Sequence, residues 1–67
     1  MRIDRVKFAA ELARADLKVN GLAERSGVSR VTITAVKNGK SCSPATAEKL
    51  AAGLGVDVSA IVSNSDT

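Results

Sequence analysis

Three glycine-containing stop signals, at Gly27, at Asn38-Gly39 and at Gly55, most constrain what this 67-residue sequence can fold into. Glycine accepts a positive φ at no steric cost, so it ends helices and starts turns. The segments between these stops are therefore short. A chain of this length has room for one core only, so the segments must pack together as a single all-α domain.

The first two segments have the spacing of amphipathic helices. Apolar residues three or four positions apart predict a first helix between Asp4 and Ala15. A second helix, about two turns long, runs from Val19 to its stop at Gly27. The apolar residues that define the first helix are Ile3, Val6, Phe8, Ala9, Leu12 and Ala13.

The third segment is predicted to be a helix from Arg30 to about Asn38, although its β-branched run has strand propensity. Ser29 stands where an N-cap belongs, and Asn38-Gly39 is a turn signal. Such a helix places Ile33 and Val36 on one face, against the core. Its other face carries Arg30, Val31, Thr34 and Lys37.

Ser43-Pro44 opens a fourth helix, because serine is a good cap and proline fits the first helical position. Gly55 ends that helix, and its buried stripe is Ala47, Leu50, Ala51 and Leu54. A short fifth helix is predicted over residues 58–62, with Val58, Ile61 and Val62 closing the core. We expect one domain over residues 1–62 and a short polar tail over residues 63–67.

The composition excludes several classes of protein. Cys42 is the only cysteine and there is no histidine, so no metal site or disulfide is expected within one chain. Cys42 is interpreted as a bystander, with a redox switch as the alternative.

No apolar run approaches the ~20 residues that cross a bilayer, and the first residues lack a signal-peptide segment, so a complete cytoplasmic protein is expected. No catalytic set is present, and neither an enzyme nor a cofactor nor a small-molecule ligand is expected.

Charge is distributed unevenly along the chain. Residues 1–40 carry nine Lys/Arg and four Asp/Glu, a balance of +5, whereas residues 41–67 carry one and three, a balance of −2. The basic half favours a polyanionic partner through counterion release. A balance of this size is also compatible with a solvated surface.

The segment from Val19 to Lys40 carries the residues that two steeply crossing helices need. Ala23 is small where the helices nearly touch, and Gly27 tolerates a positive φ at the corner. Ile33 and Val36 hold the second helix against the core. The opposite face of that helix then stands out as a ridge that fits a major groove about 12 Å wide.

These residues resemble the Cro/C1-type, or XRE, helix-turn-helix family, which includes the phage lambda-like repressors and Cro proteins. The resemblance covers nearly the whole chain and rests on residues 22–30, 33–39, 43–56 and 61. It implies a lambda-repressor-like bundle of five helices whose third helix recognises double-stranded DNA. It also implies a transcriptional repressor acting as a homodimer on a near-palindromic operator, with the dimer surface near Val56, Val58 and Ile61.

The chain departs from the family pattern in its second helix. The family usually opens this helix with Ser or Thr followed by Gln, whereas Lys18 and Val19 stand here. Lys18 can still meet a phosphate, but Val19 cannot. Ser26 replaces a usual apolar residue, and Gly21 costs up to ~1 kcal/mol relative to Ala inside a helix.

Matched residue by residue, the resemblance assigns base reading to Arg30, Val31, Thr34 and Ala35. Arg30 can bond bidentately to guanine, while Val31 and Ala35 offer methyl groups to thymine. The alternative for Arg30 is a solvated or phosphate-paired arginine. The residues predicted to bind or attract phosphates are Lys18, Thr32, Lys37, Asn38, Lys40 and Ser41.

Two alternative functions use the same fold. One is a protein-interaction module that presents its third helix to another protein, since a fold alone does not fix function. The other is an antitoxin or excision-type accessory factor that binds DNA within a larger complex. The basic asymmetry of the chain and the Asn38-Gly39-Lys40 turn favour DNA over a protein partner.

Overall fold

The computed structural model of the protein describes residues 2–63 and is all-helical. Four α-helices are followed by a single 3-10 turn: α1 (Arg5–Ala15), α2 (Val19–Ser26), α3 (Arg30–Lys37), α4 (Pro44–Leu54) and the turn Val58–Ala60. The all-α class predicted from the sequence is therefore confirmed.

Caps of the predicted kind set the helix boundaries. The Ser29 hydroxyl accepts a hydrogen bond of 3.2 Å from the Thr32 N–H at the start of α3, and Ser43 caps α4 in the same way. Gly27 and Gly55 adopt φ values of 77° and 76° where α2 and α4 end. These positions occupy the left-handed region, which glycine enters without a steric penalty.

The fifth helix predicted over residues 58–62 is not confirmed at that length, because only Val58–Ala60 is helical and it forms one 3-10 turn. Beyond the turn, the Ile61 carbonyl accepts a hydrogen bond of 2.8 Å from the Asp4 N–H. Val62 pairs with Ile3 in an isolated antiparallel bridge. The N–H groups of Ile61 and Val62 still donate to the Val58 carbonyl, but the Ser63 N–H donates to the Arg2 carbonyl at 2.9 Å, so the chain is held against the segment before α1 and the helix does not continue.

The predicted apolar face of α1 is also partly wrong. Phe8 and Leu12 are buried, but Val6 is 78% exposed, and Ala9 and Ala13 are exposed as well. Val6 lies two residues from Phe8, about 200° around the helix, so the two side chains cannot share one face.

The core is one contiguous cluster to which every helix contributes. Helices α2 and α4 approach each other closely at Gly53, where an added Cβ would lie 2.9 Å from the Cβ of Ser26 and 3.0 Å from Cδ1 of Leu22. The absence of a side chain at this position lets α4 support the helix-turn-helix directly. The buried apolar residues are Ile3, Phe8, Leu12, Leu22, Val28, Ile33, Val36, Ala47, Leu50, Ala51, Leu54 and Ile61.

The apolar edge expected to serve a dimer is smaller than the sequence suggests. Ile61 is fully buried, so it contributes to the core and not to an exposed edge. Val56 and Val58 are half-buried and pack against the same core. The buried position of Ile61 follows from the bridge that ties this segment to the N-terminal residues.

Candidate nucleic-acid interface

The turn between α2 and α3 is held by Ser26, one of the residues that departs from the family pattern. Its hydroxyl donates to the Leu22 carbonyl at 2.7 Å and accepts from the Val28 N–H at 3.2 Å. Val28 is buried, and the Gly27 N–H donates to the Ala23 carbonyl at 3.0 Å. The serine thus satisfies backbone groups at the corner and fixes how α3 leaves the turn.

The outer face of α3 carries three of the residues predicted to read bases. Arg30 and Thr34 are exposed, and Val31 is 80% exposed, while Ile33 and Val36 on the opposite side are buried. The fourth predicted residue, Ala35, is half-buried and lies at the edge of this face. The result is a short ridge with a guanidinium, a hydroxyl and apolar methyl groups.

Asn20, on the first turn of α2, belongs to this surface although it was not predicted from the sequence. Its Oδ1 accepts a hydrogen bond of 3.3 Å from Nη1 of Arg30. Both side chains are exposed, and both line a hollow between α2 and α3 that also contains Glu24. A polar residue early in α2 is the only sequence signal for this contact, because the partner lies ten residues further along the chain.

The residues predicted to bind phosphates lie before α2, on α3 and in the loop that follows α3. Lys18 is the residue before α2 and makes no side-chain capping bond, and Lys37 ends α3. Asn38 follows as the C-cap, and Lys40 and Ser41 are exposed in the loop that leads to α4. Lys18 and Lys37 line one hollow, which also includes Asn20 of α2.

Thr32 is half-buried and differs from the other residues predicted to bind phosphates. Its Oγ1 accepts a hydrogen bond of 3.0 Å from the Ser29 hydroxyl. A threonine hydroxyl that accepts one bond still carries its own proton to donate. Thr32 can therefore donate to an acceptor at the N-terminal end of α3 without releasing its contact with the cap.

No carboxylate of the described residues forms an ion pair with the cations around α3. Within residues 2–63, the one ion pair joins Arg14 and Glu11 at 4.0 Å, and both belong to α1. Lys18, Lys37 and Lys40 are therefore not paired with a carboxylate within the described residues. An uncompensated basic surface attracts a polyanion and releases its counterions on binding.

Cys42 lies in the loop before α4 and is half-buried. Burial raises the pKa of its thiol above the ordinary value. Because the thiolate is the reactive form, this environment does not activate the sulfur for redox chemistry at neutral pH.

Two helices joined by a tight turn, the second with an exposed and cation-flanked outer face, define a helix-turn-helix protein. A family model described as helix-turn-helix matches residues 9–61. The chain belongs to this family, the Cro/C1-type DNA-binding proteins, whose members regulate transcription. No curated protein and no solved structure gives a significant match.

Among residues 2–63, no helix is long and apolar enough to cross a membrane.

Proposed function

We propose that the protein is a transcriptional repressor that binds a near-palindromic operator as a homodimer, with α3 of each subunit in the major groove. The observation that carries this proposal is the exposed outer face of α3. Val31 and Val6 are the only large apolar side chains that are exposed among the described residues. On a recognition helix, the exposed methyl groups of Val31 are suited to the C5-methyl group of thymine.

Base reading is divided between polar and apolar contacts. Arg30 donates bidentately to O6 and N7 of guanine, and Val31 and Ala35 contact thymine methyl groups. Thr34, one turn after Arg30, donates or accepts as the base pair requires. Since α3 itself presents neither Gln nor Asn and the Asn20 Oδ1 is bonded to Arg30, adenine recognition by a bidentate amide is not part of this proposal.

Phosphate contacts position the helix in the groove but carry no sequence information. Thr32 serves the start of α3, and Lys18 serves the start of α2, beside the hollow that it shares with Lys37. Lys37 acts as an electrostatic attractor at the end of α3. Asn38, Lys40 and Ser41 contact the backbone through the loop that follows α3.

The homodimer is proposed because one copy of so small a domain reads too few base pairs to be specific in a genome. Two copies on half-sites roughly 34 Å apart double the sequence that is read. Since Ile61 is buried, the proposed dimer surface consists of Val56 and Val58 together with the exposed Ala52 of α4. Glu48 and Asp57 line the same hollow and form its polar rim.

Selection of bound sequences from random duplex DNA tests the proposal. Enrichment of a palindrome with two half-sites is the expected result. Enrichment of a single half-site would favour an accessory factor that needs a larger complex. No enrichment at low salt would overturn DNA recognition in favour of a protein-interaction module.

An Ala52→Arg substitution tests the dimer surface separately. Glu48 lies four residues earlier on α4, so the new arginine gains a favourable pair within the helix and should not harm the monomer. Its bulk should block association, which sedimentation in the absence of DNA measures. Ala10→Arg, an exposed alanine on α1, adds the same charge elsewhere and should leave the oligomeric state unchanged. Equal association of all three proteins would place the dimer surface elsewhere.

A further inference from the structure

Arg5, the first residue of α1, lies against the loop that follows α3. A Cβ built on Gly39 would lie 3.3 Å from Cδ of Arg5 and 3.7 Å from its Nε. Gly39 has a φ of 100°, and its N–H donates to the Val36 carbonyl at 3.0 Å as the chain turns away from α3. The stem of Arg5 therefore rests on the turn between two of the residues proposed to bind phosphate, Asn38 and Lys40.

The surroundings of Arg5 leave its charge uncompensated. Its guanidinium makes no hydrogen bond or ion pair within residues 2–63. Arg2 and Asn38 line the same hollow. The one carboxylate there, Asp4, is directed to the start of α1, where its Oδ1 accepts from the N–H groups of Val6 and Lys7 at 2.9 and 3.1 Å.

We propose that Arg5 binds a backbone phosphate of DNA and extends the phosphate-binding surface from the loop after α3 onto the start of α1. This inference rests on the proposed function and adds to it a contact from outside the helix-turn-helix. A guanidinium is weakly hydrated and matches the oxygens of a phosphate bidentately. Contact of the stem with Gly39 restricts the side chain before binding, which lowers the entropy lost on association.

The position of Arg5 gives its contact a distinct place on the DNA. The loop residues Asn38, Lys40 and Ser41 follow α3 directly. Arg5 contacts the same loop at Gly39, but it reaches the loop from the start of α1. The phosphate bound by Arg5 therefore neighbours those bound by the loop, and lies outside the base pairs that α3 reads.

Salt dependence of DNA binding by the full chain tests the proposal, with Arg5→Gln compared with Arg14→Gln. Glutamine keeps a stem for Gly39 but removes the charge. Arg14 is an exposed arginine of the same helix, roughly 13 Å further along its axis. Arg5→Gln should lower the slope of log K against log salt by about 0.9 in magnitude and weaken binding several-fold at low salt, whereas Arg14→Gln should leave the slope unchanged.

Duplexes with single neutral methylphosphonates locate the contact and do not depend on the stability of one variant. At one position outside the base-reading region, a methylphosphonate should weaken DNA binding by the unaltered protein. The same duplex should cause little further loss of binding by Arg5→Gln. Equal slopes for the unaltered protein and Arg5→Gln, or the absence of any such position, would overturn the role of Arg5 and leave the proposed function intact. Failure of the unaltered protein to bind any duplex would overturn both.

Discussion

Nη1 of Arg30 donates a hydrogen bond of 3.3 Å to Oδ1 of Asn20, and this bond joins the two helices of the motif at their exposed surface. An arginine has several donors in a fixed fork, so one bond to Asn20 leaves others for a base. The contact restricts Arg30 before DNA arrives, which reduces the entropy that binding must overcome. Asn20 is thus a positioning residue that acts through Arg30.

Loss of this contact should weaken DNA binding only while Arg30 is present. On the best operator, Asn20→Ala should weaken binding, and the double variant with Arg30→Ala should show a coupling energy of about 0.5–1 kcal/mol, at the low end for residues in contact because both are exposed. Binding isotherms of the four proteins on one duplex measure it. Strictly additive losses would contradict the positioning role.

Arg30 itself should determine specificity at one base pair. Arg30→Ala should cost about 1–3 kcal/mol on the best operator and much less on a duplex in which the contacted G·C pair is replaced. Melting curves serve as a control, since the side chain is exposed. Equal losses on both duplexes, with stability intact, would make Arg30 a phosphate ligand and shift specificity onto Val31, Thr34 and DNA shape.

The helix boundaries could be predicted because their causes are local. Ser29 and Ser43 cap the helices that follow them, and Gly27 and Gly55 end those before them. The end of α1 at Ala15 agrees with the prediction, but the φ of 56° at Asp16, which follows it, was not predicted. Aspartate tolerates the left-handed region of φ, but most aspartates do not adopt it, so the sequence carries only a weak signal for this conformation.

The remainder of the fold depends on contacts between distant residues. The N–H groups of Ile61 and Val62 still donate to the Val58 carbonyl, but the Ile61 carbonyl accepts from the Asp4 N–H near the N-terminus. The exposed face of α3, by contrast, could be predicted from the sequence, because Ile33 and Val36 mark the opposite side as buried. Neither the Asn20–Arg30 bond nor the contact of Arg5 with Gly39 has a sequence pattern, because each joins separate elements.

Lys40 should account for one phosphate contact of the proposed interface. Lys40→Ala should lower the magnitude of the salt slope by about 0.9, because one fewer set of counterions is released. Lys49→Ala, which removes an exposed lysine from α4, is the matched control and should leave the slope unchanged. An unchanged slope for Lys40→Ala would remove Lys40 from the phosphate set.

Cys42 should react slowly with thiol reagents in the folded protein at neutral pH, because burial raises the pKa of its thiol. Because the thiol has a higher pKa in the folded protein, its protonated form stabilises the fold fully below the pKa of the unfolded thiol, about 8.5. This contribution to the free energy of unfolding is lost as the pH rises through the pKa of the folded thiol. Unfolding of the unaltered protein and of Cys42→Ala across this range measures the effect. If the Cys42 thiol reacted as fast in the folded protein as in the denatured chain, the prediction of slow reaction would be contradicted.

Two glycines inside helices should respond to alanine with opposite signs. At Gly53 a Cβ would meet the Cβ of Ser26 at 2.9 Å and the Cα of Ser26 at 3.2 Å, so α2 and α4 must separate. Overpacking of this kind typically costs 1–3 kcal/mol, and the helix propensity of alanine returns at most about 1 kcal/mol. Gly53→Ala should therefore lower the free energy of unfolding by about 1–2 kcal/mol.

At Gly21 the nearest atom to an added Cβ is Cδ2 of Leu17 at 3.1 Å, the end of a half-buried side chain that can move. Gly21→Ala should therefore raise the free energy of unfolding by up to about 1 kcal/mol, through helix propensity and a less flexible unfolded chain. Urea unfolding followed by circular dichroism measures both variants, since the protein has no tryptophan or tyrosine for fluorescence. Stabilisation by Gly53→Ala would show that α4 does not need its close contact with Ser26, and destabilisation by Gly21→Ala would show that Leu17 cannot yield.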